Sequence, residues 1–120
     1  MANKQFRFQD FDIWLKGVEL SGNLFKLADE LEGRKLFRFA EQLRGATLSI
    51  TNNIAEGSGS VSKADFAHFL NMARRSVFEV ANMLLIFSRH GYLTGDQVNP
   101  ALPRLEEESR MILAFMRSLR

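Results

Sequence analysis

The chain has no cysteine, which removes disulfides, cysteine-ligated zinc, iron–sulfur clusters and thiol nucleophiles together. Nothing therefore points to a disulfide-stapled secreted domain, and the cytoplasm is the expected compartment. Histidine is nearly as scarce: His68 and His90 are the two copies, and neither lies in a nucleophile, base or metal motif. The two prolines, Pro100 and Pro103, sit close together, so no proline interrupts a helix before residue 100. Long apolar runs are missing too. The longest, Val80 to Phe87, is broken by Asn82 and is far too short to cross a bilayer, and Met1 to Phe8 contain no signal-peptide core. Sixteen basic against fourteen acidic residues leave a net charge of +2, too little to demand a polyanionic partner.

What is present is apolar: 46% of the 120 residues, with eleven phenylalanines. A chain of this length buries roughly two thirds of its unfolded surface, so residues 1–120 are expected to form one folded domain. Apolar periodicity predicts four helices parted by short glycine-bearing breaks, over about residues 12–31, 35–55, 62–90 and 97–119. Asp10 or Asp12 is the expected cap of the first, with Gly33 just past its end. The third opens on Ser62-x-x-Asp65 and stops at Gly91, and the fourth follows Thr94-x-x-Gln97. No strand pattern competes, which makes the expected fold class all-α, an antiparallel up-down four-helix bundle.

The first and third helices carry more apolar surface than one core face uses. On the first, Phe11, Trp14, Val18, Phe25 and Ala28 form one stripe, and Ile13, Leu20, Leu24, Leu27 and Leu31 a second, turned by about 100°. On the third, Phe78, Ala81, Met83, Leu85 and Ile86 lie off the main seam. A monomer would leave these arcs exposed, so a homo-oligomer is expected. Its candidate interface residues are Ile13, Leu20, Leu24, Phe78 and Leu85.

Charge is segregated. Arg34, Lys35, Arg38 and Arg44 face Glu41 alone along residues 34–44, and Lys63, Arg74, Arg75 and Arg89 outnumber Asp65 and Glu79 along the third helix. Acid collects at Asp29, Glu30 and Glu32 and at Glu106, Glu107 and Glu108. Solvated or paired charge is the simpler reading of this pattern, and a basic face is the sharper one.

The motifs that resemble chemistry have plainer explanations. Asp65-x-x-His68 puts a carboxylate and an imidazole on one helical face, but a di-metal bundle site needs a second such pair and further glutamates. The loop from Gly57 to Lys63 lacks phosphate-loop spacing. It reads as a tight turn capped by Ser62, the alternative being phosphate contact by Ser58, Ser60 and Lys63. In the segment from Asn52 to Gly57, Asn53 and Glu56 are expected to tie the second helix to the third or to Arg44, in preference to holding a ligand. Phe6 and Phe8, beside Lys4 and Arg7, would dock the N-terminal segment on the bundle or stack on bases, docking being the favoured reading. No constellation supplies a nucleophile, a base and an orienting group, so no catalytic residue, metal site or cofactor is assigned.

Four stretches carry a resemblance over nearly the whole chain: Phe8 to Trp14; Gln42 to Gly57, the most specific; Ser62 to Ser76; and His90 to Leu93. They are similar to the bacterial four-helix-bundle family encoded within intervening sequences of large-subunit ribosomal RNA genes. The resemblance implies a ring-like homopentamer and a structural motif of Arg44, Asn53, Glu56 and Gly57. Related bundle proteins serve diversity-generating reverse transcriptases and are thought to bind nucleic acid through basic surfaces. Two positions depart from the pattern. Thr51 replaces a usual proline, which makes a kink less expected, and Arg75 replaces a usual glycine, so either the helix packing there is looser or Arg75 points outward. The expectation is a non-enzymatic oligomer binding RNA or DNA phosphates through Arg34, Lys35, Arg38, Lys63, Arg74 and Arg75. The rival is a structural or protein-interaction scaffold, partnering a reverse transcriptase or another protein, with no membrane association in either case.

Overall fold

Glycine, serine and proline punctuate the chain into helices, and the computed structural model, which describes residues 5–119, follows that punctuation. A 3-10 turn over Arg7–Asp10 leads into α1 (Asp12–Gly33), α2 (Phe37–Ser58) and α3 (Lys63–Arg89); a short α4 (Gly95–Val98) precedes α5 (Ala101–Ser118). No strand occurs among the described residues. The long helices pack in the cyclic order α1, α2, α3, α5, each against two neighbours, and successive helices reverse direction. The expected antiparallel four-helix bundle is the observed fold.

Each long helix buries a stripe at spacings of three and four. On α1 it runs Ile13, Gly17, Leu20, Leu24, Ala28 and Leu31; on α2 Ala40, Leu43, Thr47, Ile50, Ile54 and Gly57. On α3 it runs Phe66, Leu70, Ala73, Val77, Val80, Leu84 and Phe87, and on α5 Ala101, Leu105, Glu108 and Ile112. Phe11, Phe66 and Phe115 cluster at one end of the core, and Phe39, Phe87 and Tyr92 at the other.

The helix ends follow local chemistry at α3 and α4 and depart from it at α1. Ser62 Oγ accepts from Asp65 N at the start of α3, and Thr94 and Gln97 form a full capping box. Gly91, at φ 76°, ends α3 as expected; Tyr92 N donates back to Phe87 O at 2.8 Å, the closing bond of a Schellman turn. At α1 both expectations fail. Phe11 occupies the N-cap without a side-chain bond, in place of Asp10 or Asp12. The left-handed residue after the helix is Lys35, at φ 65°, not Gly33, because Leu36 N closes onto Leu31 O and so fixes the reversal two residues later. α2 begins at Phe37 and continues through Gly57. The predicted fourth helix is divided at Asn99 and Pro100, since the proline ring cannot continue the preceding turn's hydrogen bonds.

One set of candidates is corrected by the core itself. Ile13, Leu20 and Leu24 are buried inside the single chain, so they are not available to another subunit. The second α1 stripe faces inward, joined by Ala28 of the first, whereas Val18 on the first stripe is exposed. Phe78 and Leu85, by contrast, remain 56% and 44% exposed.

Candidate functional site

The six basic candidates do not share one face. Arg34 and Lys35 lie in the turn after α1 and Arg38 lies in the first turn of α2. Lys63 opens α3, so it stands about 40 Å along that helix from Arg89. Arg74 and Arg75 occupy the middle of α3.

Two of the six serve the fold. Arg34 Nη1 donates to Gly91 O at 3.0 Å and also to Tyr92 O, which brings the α1–α2 junction against the end of α3. Arg74 Nε donates to Ser109 O at 3.1 Å, joining α3 to α5, and its guanidinium lies over the Phe78 ring. Lys35, Arg38, Lys63 and Arg75 are exposed and make no ion pair among the described residues. Arg89 has the same character and lies at the end of α3 that Arg34 anchors. Phe37, 58% exposed, stands between Lys35 and Arg38 in sequence.

Arg44 ties helices together by a different route from the one expected. Its guanidinium reaches Asp29 at 2.8 Å and Glu32 at 3.0 Å on α1, and Glu41 at 2.8 Å on its own helix. Hydrogen bonds to Asp29 first, then to Glu41 and Glu32, push its pKa above the ordinary arginine value. Asn53 is further along α2: its Nδ2 donates to Ser49 O and Ser49 Oγ, and Ser49 Oγ in turn meets Ser76 Oγ of α3 at 2.8 Å. Asn53 thus supports the α2–α3 contact through Ser49, while Glu56 is exposed and joins neither Arg44 nor α3 in any ion pair among the described residues. Gly57 is required by packing. A Cβ there would stand 2.7 Å from Phe69 Cβ and 2.9 Å from Phe66 Cδ1.

The N-terminal segment docks. Arg7 Nε and Nη2 both donate to Ser58 O, at 3.1 and 2.9 Å, and its guanidinium sits 5.3 Å from the Phe66 centroid. Phe8 packs edge-on against Trp14, with Phe6 stacked beside it; Lys4 lies outside the described residues. This anchoring leaves a cleft of about 460 Å³ lined by Arg7, Ser58, Ser60, Ser62, Lys63 and Phe66 among others. A second groove, about 410 Å³ and more apolar, runs between α3 and α5 past Phe78, Ala81, Leu85, Leu102 and Glu106.

The feature least expected from the sequence is Glu108. It is 0% exposed, and neither carboxylate oxygen has a hydrogen-bond partner among the described residues. Burial pushes its pKa up to about 8, with Glu107 adding to the rise and Lys16 opposing it. Gly17 of α1 makes room for the carboxyl: a Cβ on Gly17 would lie 3.2 Å from Glu108 Oε2 and 2.8 Å from Thr51 Cγ2. Thr47 Oγ1 of α2 is also buried without a partner. The signal was the stripe Ala101, Leu105, Glu108, Ile112, whose spacing of four, three and four carries the glutamate inward.

Among the described residues no three histidine, cysteine, aspartate or glutamate side chains gather in a way that would hold a metal ion, and no helix is long and apolar enough to cross a membrane. The model of the family described as 23S rRNA-intervening sequence protein matches residues 9–114, from the 3-10 turn into α5. The chain belongs to that family. A crystal structure of a protein with unknown function from the S23 ribosomal protein family, from Bacteroides thetaiotaomicron VPI-5482, is similar with a TM-score of 0.82. It is 25% identical, and the match covers 87% of this chain and 97% of that one. No curated protein matches the chain. Both departures from the family pattern are accommodated. α2 runs unbroken through Thr51, whose methyl packs at Gly17, and Arg75 points outward beside Met72 and Glu79.

Proposed function

We propose that this family member is a non-enzymatic, self-associating cytoplasmic protein that binds RNA or DNA phosphates through cations at the α1–α2 end of the bundle. The observation that carries the reading is the division of labour among the cations there. Arg44 draws in the neighbouring acids Asp29, Glu32 and Glu41, and Lys35, Arg38 and Arg89 are left exposed without ion pairs among the described residues. Three cations are few for one subunit. Repetition around the homopentamer that the family resemblance implies would convert weak phosphate contacts into useful avidity wherever one strand spans several subunits.

Filter binding of a single-stranded RNA across a salt series tests this. The protein should bind at low salt and release steeply as salt rises, because phosphate neutralisation expels counterions. Lys35→Asn together with Arg38→Gln should weaken binding and flatten the salt slope; asparagine tolerates the left-handed backbone at position 35. No binding at low salt, or binding indifferent to salt, defeats the proposal.

The α3–α5 groove favours a second reading, a scaffold that docks protein, with a reverse transcriptase or another locally encoded protein as the partner. Phe78 and Leu85 stay exposed beside that groove, so they also remain the interface candidates for self-association. Arg38→Glu separates the readings: an intact oligomer that has lost nucleic acid supports binding, and loss of the oligomer supports the scaffold. Light scattering that returned a clean monomer would contradict self-association in both.

A further inference from the structure

A carboxyl with no exposed surface and no partner for either oxygen is costly to bury as an anion and far less so as a neutral acid. Glu108 is in that position on α5, its carboxyl at the seam beside Gly17 of α1, with Thr51 and Ile50 of α2 bordering the same gap. The surrounding residues are shaped to it. Gly17 on α1 is the one position of the core stripe with no side chain, and Thr51 on α2 closes the same gap with its methyl group. The charged groups around the seam do not neutralise an anion there. Lys16 of α1 spends its ammonium on Glu107 at 3.1 Å. Glu107 of α5 is itself acidic, and Arg104 of α5 faces Glu19 of α1. Arg74 of α3 is committed to Ser109 O. The residues of α2 that border the gap, Ile50 and Thr51, carry no charge.

We infer that Glu108 is a proton-controlled latch: as a neutral acid it lets α5 close against α1, and its ionisation loosens α5 from that helix. The step is a plain acid dissociation, in which the carboxyl proton passes to solvent and leaves the negative charge on Glu108. A carboxylate in that seam must either gain water or separate the helices, and both open the α5 contact. The elevated pKa places the transition in the neutral to mildly alkaline range, where a modest pH change alters the population of the closed state.

The test compares the full chain with Glu108→Gln, a neutral side chain of nearly the same shape, by thermal unfolding from pH 5 to pH 9. Amide-exchange protection in each helix and the infrared carbonyl band of a protonated carboxyl are followed in parallel. Wild type should lose unfolding temperature steadily up to about pH 8 and then level off, with protection falling first in α5. Glu108→Gln should lack that decline and lack the infrared band. A wild-type profile flat across this range, a Gln variant with the same decline, or protection lost equally in all four helices would each overturn the latch. Should Glu108→Gln not fold, the wild-type infrared band at neutral pH decides: its presence supports a protonated buried acid and its absence rejects one.

Discussion

Arg44 and Glu108 are two ionisable residues that meet α1 from different helices, α2 and α5, and they solve the same problem in opposite ways. Arg44 stays at the surface and collects three carboxylates within 3.0 Å. Its charge is fully answered, and water would have answered it nearly as well, which is why such clusters add little to stability. Glu108 has no exposed surface and no hydrogen-bond partner among the described residues. The well-made ion cluster is thus the energetically quieter of the two, and the unpartnered acid controls how the fold responds to its surroundings. The number of contacts a charge makes is a poor guide to its influence; its access to solvent is a better one.

The largest effect that would sharpen this contrast is the pH dependence of wild-type stability. The folded-state pKa of Glu108 is raised from 4.5 to about 8, so between those values the folded protein holds a proton that the unfolded chain has released. Stability then falls as pH rises through that window, is fully present below it, and changes no further above about pH 8. The full shift corresponds to about 5 kcal/mol at most. Urea unfolding at pH 5 and pH 8 measures it, and equal midpoints would erase the distinction between the two charges.

A smaller effect comes from filling the space that Gly17 leaves. In Gly17→Ala the new Cβ presses on Thr51 Cγ2 and Glu108 Oε2, a cost of about 1–3 kcal/mol for overpacking that the better helix propensity of alanine, about 1 kcal/mol, only partly offsets. In a Glu108→Ala background one of the two colliding atoms is gone. The same substitution should therefore cost less there, and a double-mutant cycle by urea unfolding reads the coupling. Additive effects would mean that Gly17 answers to Thr51 alone.

The sequence displayed one side of this comparison and hid the other. The four long helices and their reversals follow from apolar spacing, because that is a local property, and the glycine stop is found at Gly91 but not at Gly33. The stripes Leu20, Leu24, Leu31 and Val77, Val80, Leu84 show that spacing directly. Which stripe of a helix faces inward is decided by its neighbours, and for that reason Ile13, Leu20 and Leu24 were assigned to an interface although they fill the core. The basic residues were legible as a composition and not as a surface. Nothing in the spacing of Arg34 or Arg74 reveals that a carbonyl of another element awaits each one. Glu108 was hidden by its neighbours Glu106 and Glu107, which made a run of acids look like a solvated face. Its helical phase told otherwise.

Arg44→Ala should have the smallest effect, and its character matters more than its size. Removing the guanidinium leaves Asp29, Glu32 and Glu41 close together without their common partner. All three are exposed, so each regains water, and the loss of attraction is replaced by a weak mutual repulsion that counterions screen. Thermal unfolding of the variant should show a small decrease at low ionic strength that shrinks toward zero as salt is added, whereas the pH response set by Glu108 should persist at every salt concentration, because ions do not enter the dry seam. A large, salt-independent loss in Arg44→Ala would place Arg44 among the determinants of the fold and reverse the ranking of the two charges.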